Sequence, residues 1–436
     1  MPIATQTVRS SPENLELPLL FSAPTASALR PALADELRCF REFGQPTRLL
    51  TTTVTTTTDH TLAIPTFVNE FWTARQRQAN SLHEVSYRAC FKPQLPRFFI
   101  ERLSAPGDIV YDPFMGRGTT PVEAALLGRV PFGNDINPLS AVMTRPRLCP
   151  PFLAQVEQRL RELSLEDPAD TPEDLLVFYH PTTLMAISSI KKYLLKRRRS
   201  RKLDSVDEWL ALLALNRLTG HSNGFFSVYT LPPNQAVSVK SQRKINEKRS
   251  QTPPPRDVAM LILKKTRQLL GDVTPQARQT LARVAGSAVF LTGPAKASPE
   301  LQTNSVSLVV TSPPFLNVVQ YADDNWLRCW FLDIDPKSVK LTVPRRIDDW
   351  QEAMTEVFYE LYRVLKPGAH IAFEVGEVHA GTTKLEEIVL PCGVAAGLEP
   401  VLVLINDQKF TKTANCWGVD NNTRGTNTNR IVLFRK

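Results

Sequence analysis

The chain has 436 residues, 42% of them hydrophobic and 22% charged, which is typical of a soluble globular protein with a hydrophobic core. Its most apolar stretch, residues 388–405, contains Glu399 and Pro400, whereas a membrane helix needs roughly 18 uninterrupted apolar residues. The first residues show no basic stub followed by an apolar run, so we expect no secretory signal. Six cysteines without a C-x-x-C pair argue against a zinc ribbon and a disulfide framework. We therefore expect a cytoplasmic protein with no metal and no membrane contact.

The N-terminal region differs in composition from the rest of the chain. Residues 1–62 are rich in Thr, Ser and Pro and include the low-complexity tract 51–58. Such a composition buries too little apolar surface to offset its ordering entropy, so this segment is predicted to be weakly ordered. From residue 63 the pattern becomes globular, and helices are predicted over 67–77 and 96–103.

An alternation of strands and helices begins with a short apolar strand at 108–111. Further strands are predicted at 129–133, 288–292, 306–310, 370–374, 401–405 and 430–434, and helices at 120–127, 349–365 and 387–396. This order predicts an α/β fold with a mostly parallel sheet covered on both faces. A mostly helical insertion, 150–286, with a loop at 220–255, divides the core domain into 63–149 and 287–436.

The insertion carries the positive charge of the chain. The net charge is +9, and residues 176–256 alone hold fifteen Lys or Arg against four Asp or Glu. A charge run is as often a solvated face as a binding site, but two basic clusters with aromatic residues between them suit a phosphate backbone and stacked bases. One member, His221, is either a base contact or loop scaffold. The residues that we predict to contact nucleic acid are Lys196, Arg197, Arg198, Arg199, Arg201, His221, Lys240, Arg243 and Lys244.

Two glycines, Gly116 and Gly118, follow the strand 108–111 and precede a helix. They let the backbone approach a ligand at the carboxyl end of a strand. The third glycine of the dinucleotide motif is replaced by Pro121, and the Gly-Lys-Ser/Thr of a phosphate-binding loop is absent. Asp135 ends the next strand, where a carboxylate accepts hydrogen bonds from both ribose hydroxyls. This combination indicates an adenosine ligand without a pyrophosphate, and S-adenosylmethionine is the obvious candidate.

The strand 306–310 runs into Thr311-Ser312-Pro313-Pro314-Phe315. The two prolines remove two backbone donors, so we expect the carbonyl groups of Ser312 and Pro313 to point outward as free acceptors. A hydroxyl, an outward carbonyl and the ring of Phe315 suit a flat heterocycle with an exocyclic amine. Drawing the amine protons toward acceptors makes the nitrogen more nucleophilic, and attack on a sulfonium methyl then needs mainly positioning.

Together these two loops are similar to motifs of a known family. Asp112–Thr120 resembles the cofactor motif, and Thr311–Phe315 the catalytic motif, of amino-methyltransferases that act on DNA, and the serine form is typical of cytosine-N4 enzymes. Phe91-Lys92-Pro93 resembles the motif that helps to hold the methionine part of the cofactor. The resemblance implies a seven-stranded Rossmann-like methyltransferase fold in which 150–286 is the target-recognition region. It also implies that the protein binds duplex DNA, is associated with the nucleoid through that DNA, and rotates the target base out of the duplex. It further implies a restriction–modification system whose nuclease acts separately.

The resemblance assigns roles to residues of three motifs. The residues predicted around the target base are Ser312, Pro313, Pro314 and Phe315. The residues predicted to bind the cofactor are Phe91, Lys92, Asp112, Pro113, Phe114, Gly116, Gly118, Thr119, Thr120, Asp135 and Asn137. The chain departs from the family at 293–295, where Gly-Pro-Ala replaces an acidic residue that often contacts the adenine, and at Phe315, which is more often Tyr.

Three other functions stay open at this point. Adenine-N6 enzymes more often carry Asp-Pro-Pro-Tyr, and the placement of the insertion between the two loops is less usual for cytosine-N4 enzymes. A guanine-N2 methyltransferase of structured RNA usually carries Asn-Pro-Pro-Tyr and would label RNA instead of DNA. A non-catalytic DNA-binding module that kept the fold would bind duplex DNA without affinity for the cofactor.

Overall fold

The computed structural model describes residues 33–55, 61–73, 79–87, 90–166, 171–230, 236–314, 321–339, 344, 346–378, 383–408 and 428–436. The strands in these residues are β1 (Arg48–Thr55), β2 (Thr61–Asn69), β3 (Ile109–Asp112), β4 (Val130–Asp135), β5 (Val289–Thr292), β6 (Val306–Thr311), β7 (Leu365–Val375), β8 (Glu377–Val378), β9 (Thr383–Lys384), β10 (Glu399–Asp407) and β11 (Thr428–Arg435). The helices are α1 (Leu33–Cys39), α2 (Gln94–Leu103), α3 (Thr119–Leu126), α4 (Leu139–Thr144), α5 (Leu153–Glu162), α6 (Pro181–Arg199), α7 (Ser205–Arg217), α8 (Val239–Arg249), α9 (Val258–Leu269), α10 (Pro275–Ala285), α11 (Tyr321–Leu332), α12 (Ile347–Val364) and α13 (Leu385–Ala395).

The main sheet has the strand order β1-β2-β10-β11-β7-β6-β3-β4-β5. Strands β5, β4, β3, β6 and β7 are parallel to one another, and β11 runs antiparallel to both β7 and β10. This confirms the predicted Rossmann-like α/β fold, in which helices connect parallel strands. The seven predicted strands are present as β3 to β7, β10 and β11. Strand β2 adds to β10 in parallel and β1 pairs with β2, which extends the sheet to nine strands in the described residues.

Helices cover both faces of the sheet, and alternate residues of each strand supply the two cores. On one face, Tyr111 of β3 and Phe373 of β7 pack in a core with Phe358 of α12. The ring centroids of Phe358 and Phe373 are 4.8 Å apart. On the other face, Val110, the neighbour of Tyr111, packs in a core with Phe99 of α2. The central strands β3, β6 and β7 are therefore mostly buried on both sides, and the polar groups described below lie at their carboxyl ends.

The insertion forms a helical layer whose core, around the buried Trp209 of α7, is shared with buried residues of α3, α4 and α11. The helices predicted there are present, but the segment predicted as a loop, 220–255, contains α8. Our prediction missed this helix because Gln242 is its only buried residue, so α8 lacks the apolar periodicity that marks a packed helix.

Two predictions near the N-terminus are wrong. The tract expected to be weakly ordered contains α1 and, at Arg48–Thr55, strand β1, which pairs with β2 over eight residues. Thr and Val are β-branched and favour strands, and this preference outweighed the low-complexity composition once a partner strand was present. The first residues of the helix predicted at 67–77 belong instead to β2 (Thr61–Asn69). This strand pairs with β10, which lies far away in sequence. Residues 1–32 and 56–60 lie outside the described residues.

No helix in the described part of the chain combines the length and apolar character needed to cross a bilayer. Within the same residues, no three His, Cys, Asp or Glu side chains are grouped as ligands for a metal ion.

Candidate functional site

The two motif loops leave neighbouring parallel strands. In the sheet β3 lies beside β6, with Val110 paired to Leu308 and Tyr111 to Val309. Because the carboxyl ends of parallel strands meet at one edge, the glycine loop and the Ser-Pro-Pro loop emerge side by side. Two hydrogen bonds join them. The hydroxyl of Thr311 donates to Asp112 Oδ1 (2.6 Å), and that of Thr120 donates to the carbonyl of Val310 (3.1 Å).

The glycine loop adopts a backbone conformation that requires glycine. Gly116 and Gly118 have φ of +50° and +77°, in the left-handed region that other residues rarely adopt. A Cβ atom at Gly118, the N-cap of α3, would lie 2.1 Å from Thr144 Oγ1. The main chain can therefore follow this path only without a side chain at residue 118.

A carboxylate at the end of β4 holds the glycine loop. Asp135 Oδ2 accepts from the N–H of Gly116 and Oδ1 from the N–H of Asn137, both at 2.8 Å. An ionised carboxylate has about four acceptor positions, so about two remain for a ligand. Burial raises the pKa of Asp135, and the N–H groups of Asn137 and Gly116 oppose that rise. The carboxylate of Asp135, which is predicted to bind the ribose, is thus held in place by hydrogen bonds from the glycine loop and from Asn137.

Asn137 has a structural role within the same loop. Its buried side chain donates to the hydroxyl of Tyr87 (2.7 Å) and accepts from the N–H of Leu139 (2.8 Å). These bonds connect the start of α4 with Tyr87, which precedes α2. Direct contact between Asn137 and the cofactor stays a prediction.

Asp112 carries an unpartnered oxygen in the centre of the site. Its Oδ1 accepts from the hydroxyl of Thr311 and from the N–H of Phe114 (3.0 Å). Its Oδ2 is buried and has no hydrogen-bond partner among the described residues. Burial raises the pKa of Asp112 to about 7, while the Thr311 hydroxyl lowers it. A buried acceptor without a partner is costly, so this atom is suited to a donor supplied by a bound molecule.

The Ser312 hydroxyl is linked to a buried carboxylate that the sequence analysis did not identify. Glu374, at the end of β7, hydrogen-bonds both Ser312 and the side-chain amide of Asn429, the latter at 3.0 Å. Strand β7 pairs with β6 on the side opposite β3. Burial raises the pKa of Glu374 to about 6, and the bonds from Ser312 and Asn429 oppose the rise. The carboxyl ends of three neighbouring strands thus each supply a polar group to one region.

The carbonyl groups of the Ser-Pro-Pro loop are not equivalent. The indole N–H of the buried Trp350 on α12 donates to the carbonyl of Pro314 (3.0 Å). Among the described residues, no hydrogen bond reaches the carbonyl of Ser312 or Pro313, and their role as free acceptors stays a prediction. Trp350 therefore anchors the loop by its last carbonyl. Phe315, the predicted stacking ring, lies outside the described residues.

The other residues predicted to bind the cofactor are buried or half-buried. Phe91 is half-buried and packs against the core that contains α1 and α2. Lys92 is also half-buried, and burial, followed by the charge of Arg117, lowers its pKa. Pro113 is buried, and Thr119 Oγ1 accepts from Arg117 Nε (3.2 Å).

The residues predicted to contact nucleic acid differ in whether they are free to bind a phosphate, and Arg197 is held by acidic side chains of the protein. Its guanidinium contacts the carboxylate of Asp207 and lies 3.3 Å from Asp204 Oδ2. Tyr193 and Arg159 bind the same pair of carboxylates. A phosphate contact by Arg197 would require breaking this network, which joins α6 to α7.

The other basic residues lie on the surface. Arg199 and Arg243 form exposed ion pairs, with Asp333 (3.0 Å) and Asp174 (3.4 Å). Exposed ion pairs contribute little and exchange readily for a phosphate. His221 is exposed beside Phe225, with ring centroids 6.2 Å apart. The members that are exposed and make no ion pair within the described ranges are Lys196, Arg198, Arg201, Lys240 and Lys244.

Part of this chain is similar in sequence to DNA-modifying enzymes. Residues 56–141, which include the glycine loop, match the profile of a family described as DNA methylase. The type II methyltransferase M.BsoBI of Geobacillus stearothermophilus is 22% identical over 315 residues, which cover 63% of this chain and 57% of that protein. M.MjaII of Methanocaldococcus jannaschii is 36% identical over 74 residues, or 17% of this chain and 14% of the relative. The chain thus spans about half or less of the length of these relatives.

Among solved structures, TrmN from Thermus thermophilus matches with 12% identity and a TM-score of 0.32, covering 82% of this chain and 51% of that one. A TehB-like SAM-dependent methyltransferase from Corynebacterium glutamicum matches with 9% identity and a TM-score of 0.30, covering 78% of this chain and 86% of that one. Neither the family profile nor the type II relatives separate cytosine N4 from adenine N6 as a target.

Proposed function

We propose that this chain is an S-adenosylmethionine-dependent methyltransferase that modifies the N4 amine of cytosine within a short sequence of duplex DNA. The observation that carries the proposal is the hydrogen bond from Thr311 to Asp112, which holds the Ser-Pro-Pro loop against the glycine loop. Methyl transfer needs donor and acceptor side by side, because positioning supplies most of the rate for this displacement. A place in a restriction–modification system is part of the same proposal, as are a cytoplasmic, nucleoid-associated location and a separately acting nuclease.

The residues present fit the cofactor. Gly118 packs so closely against Thr144 of α4 that any side chain would collide, which fixes the path of the glycine loop, and Asp135 keeps acceptor positions for ribose hydroxyls. The unpartnered Oδ2 of Asp112 suits an ammonium group. Gly116, Gly118, Asp112 and Asp135 would hold the cofactor, which when bound supplies an electrophilic sulfonium methyl.

The Ser312 side supplies acceptors for the base. In this assignment the exocyclic amine of the base donates one hydrogen bond to the Ser312 hydroxyl and one to the Pro313 carbonyl. As the amine nitrogen took up the methyl group, the bond between that methyl and sulfur would break with its electron pair remaining on sulfur. The nitrogen would then carry a positive charge and would have to lose one proton. Ser312 can accept that proton while passing its own to Glu374, whose carboxylate it already contacts. Pro314, held by Trp350, keeps the loop rigid during this exchange.

The direct test identifies the modified nucleoside. Purified protein is incubated with labelled cofactor and plasmid DNA, and the DNA is digested to nucleosides. The proposal predicts labelled N4-methylcytosine, and a duplicate reaction with structured RNA should take up no label. Labelled N6-methyladenine as the only product would favour the adenine-N6 alternative, for which the shared family match leaves room.

Glu374 predicts the acid limb of the pH–rate profile. Because burial raises its pKa from an ordinary value near 4.5 to about 6, its acceptor form is lost as the pH falls through about 6. Turnover should therefore rise as the pH passes through about 6. In Glu374→Gln this component should disappear, and only the rise through about 7 that follows from the pKa of Asp112, common to both proteins, should remain. An unchanged limb in the variant would remove Glu374 from the proton path.

The α8 lysines predict the salt dependence of DNA binding. Lys240→Gln/Lys244→Gln should reduce the slope of log affinity against log salt by about 1.8, since each phosphate contact contributes about 0.9. The matched control, Lys366→Gln/Arg435→Gln, removes two exposed charges near the amino end of β7, at the opposite edge of the sheet. Fluorescence anisotropy at several salt concentrations measures both. Equal slopes for the two variants would exclude these lysines from the interface.

Arg197→Gln should behave differently from the lysine variant. Because Arg197 is bound to Asp204 and Asp207, its loss should lower the melting temperature and leave the salt slope unchanged. A reduced slope with normal stability would instead place Arg197 on a phosphate.

A further inference from the structure

Tyr87 lies against three of the residues proposed to bind the cofactor. An ideal Cβ at Gly116 would be 3.9 Å from Tyr87 Cε1, in ordinary van der Waals contact. The phenol oxygen accepts from Asn137 Nδ2 at 2.7 Å. The charge of Asp135 is close enough to add to the effect of burial in raising the pKa of Tyr87, so the phenol stays neutral. Tyr87 is half-buried, so part of its surface is open.

The segment that carries Tyr87 is fixed by elements on two sides. The carbonyl of Ser86 accepts from Arg328 Nη2 of α11 (3.3 Å) and from Asn216 Nδ2 of α7 (3.5 Å). The guanidinium carbon of Arg328 also lies 5.4 Å from the centre of the Tyr87 ring. The ring therefore has a defined position beside Gly116 and already accepts one cation on its π-system.

We propose that the ring of Tyr87 forms one wall of the cofactor pocket and recognises the positive charge of the sulfonium. This inference rests on the proposed function, since it concerns the same cofactor. The face of an aromatic ring carries negative partial charge and attracts an onium group, but not the neutral thioether that remains after methyl transfer. Such a wall would give the sulfonium methyl donor a higher affinity than the thioether product. The product would therefore dissociate more easily after methyl transfer.

The test compares the two ligands in the absence of DNA. Calorimetry measures the Kd of S-adenosylmethionine and of S-adenosylhomocysteine for the full chain and its variants. In Tyr87→Leu we expect the Kd of the sulfonium ligand to rise about tenfold and that of the thioether to rise less than about threefold, in line with the strength of a cation–π contact. Tyr87→Phe keeps the ring and loses only the bond from Asn137, so both Kd values should stay within about threefold of the wild type.

Two outcomes separate this inference from the function on which it rests. Tyr359→Leu, the same change at an exposed tyrosine of α12, controls for the loss of a ring and should alter neither Kd. If Tyr87→Leu weakens both ligands equally, or neither, the ring does not recognise the charge and the inference is overturned. If the wild-type chain binds neither ligand, the proposed function itself fails. Thermal melting of each variant confirms that the fold is retained.

Discussion

Replacing Ser312 with alanine is expected to lower turnover by about 100-fold, the range of general acid–base catalysis, and to change duplex affinity less than about threefold. The hydroxyl contacts Glu374 in the free protein and meets the amine only when the base occupies the site. It therefore contributes mainly in the transition state and little to ground-state binding. Single-turnover rates and anisotropy titrations, made on the same preparation, measure the two quantities.

A serine on the same strand serves as the control. Ser307 lies near the amino end of β6, where its hydroxyl donates to Asp108 (3.0 Å), away from the loop that contains Ser312. Ser307→Ala should keep turnover within about threefold of the wild type, as expected for a surface substitution. Parallel losses of turnover and DNA affinity in Ser312→Ala would contradict the assigned role.

Coupling between Ser312 and Glu374 can be measured by a double-mutant cycle. If the two groups act as one relay, Glu374→Gln should cost little further turnover once Ser312 is alanine, because groups that act as a unit are non-additive. Additive losses would show that Glu374 acts independently of Ser312, for instance by orienting Asn429.

The motif residues at the strand ends could be predicted from the sequence, whereas the residues that contact them in the fold could not. Gly116, Gly118 and the Ser-Pro-Pro sequence give local signals, because turn conformation and missing donors follow from residue type alone. Glu374 lies 62 residues beyond Ser312, and their contact depends on the placement of β7 beside β6. The one available signal was a polar residue at the end of a predicted strand, and several strands share that feature.

Charge and composition alone do not show which partners the fold supplies, as two places in the chain illustrate. Arg197 belongs to a basic run, but the fold brings Asp207 to it from the next helix. The tract 51–58 has the composition of a disordered segment, yet residues 51–55 belong to β1, which pairs with β2. In both cases a partner supplied by the tertiary fold changed the state that local composition favours.

Replacing Gly118 with alanine is expected to weaken cofactor binding by at least about 100-fold. The new Cβ would lie 2.1, 2.6 and 2.8 Å from three side-chain atoms of Thr144, so either the loop or α4 must move. A non-glycine residue at φ +77° adds strain of about 1–3 kcal/mol. Movement of the loop would also displace Gly116, whose N–H holds the Asp135 carboxylate at 2.8 Å. The backbone path and the ribose-binding group would thus be lost together.

Calorimetry with S-adenosylmethionine measures this loss, and thermal melting separates it from unfolding. Gly286→Ala is the matched control, because a Cβ at Gly286 meets no atom within 4 Å and its φ is −68°. It should leave the Kd and the melting temperature unchanged. In Gly118→Ala, DNA binding through the exposed lysines of α8 should persist, because that surface is separate from the glycine loop. Full cofactor affinity in Gly118→Ala would show that the loop does not form the pocket, and the proposed arrangement of donor and base would then have to be abandoned.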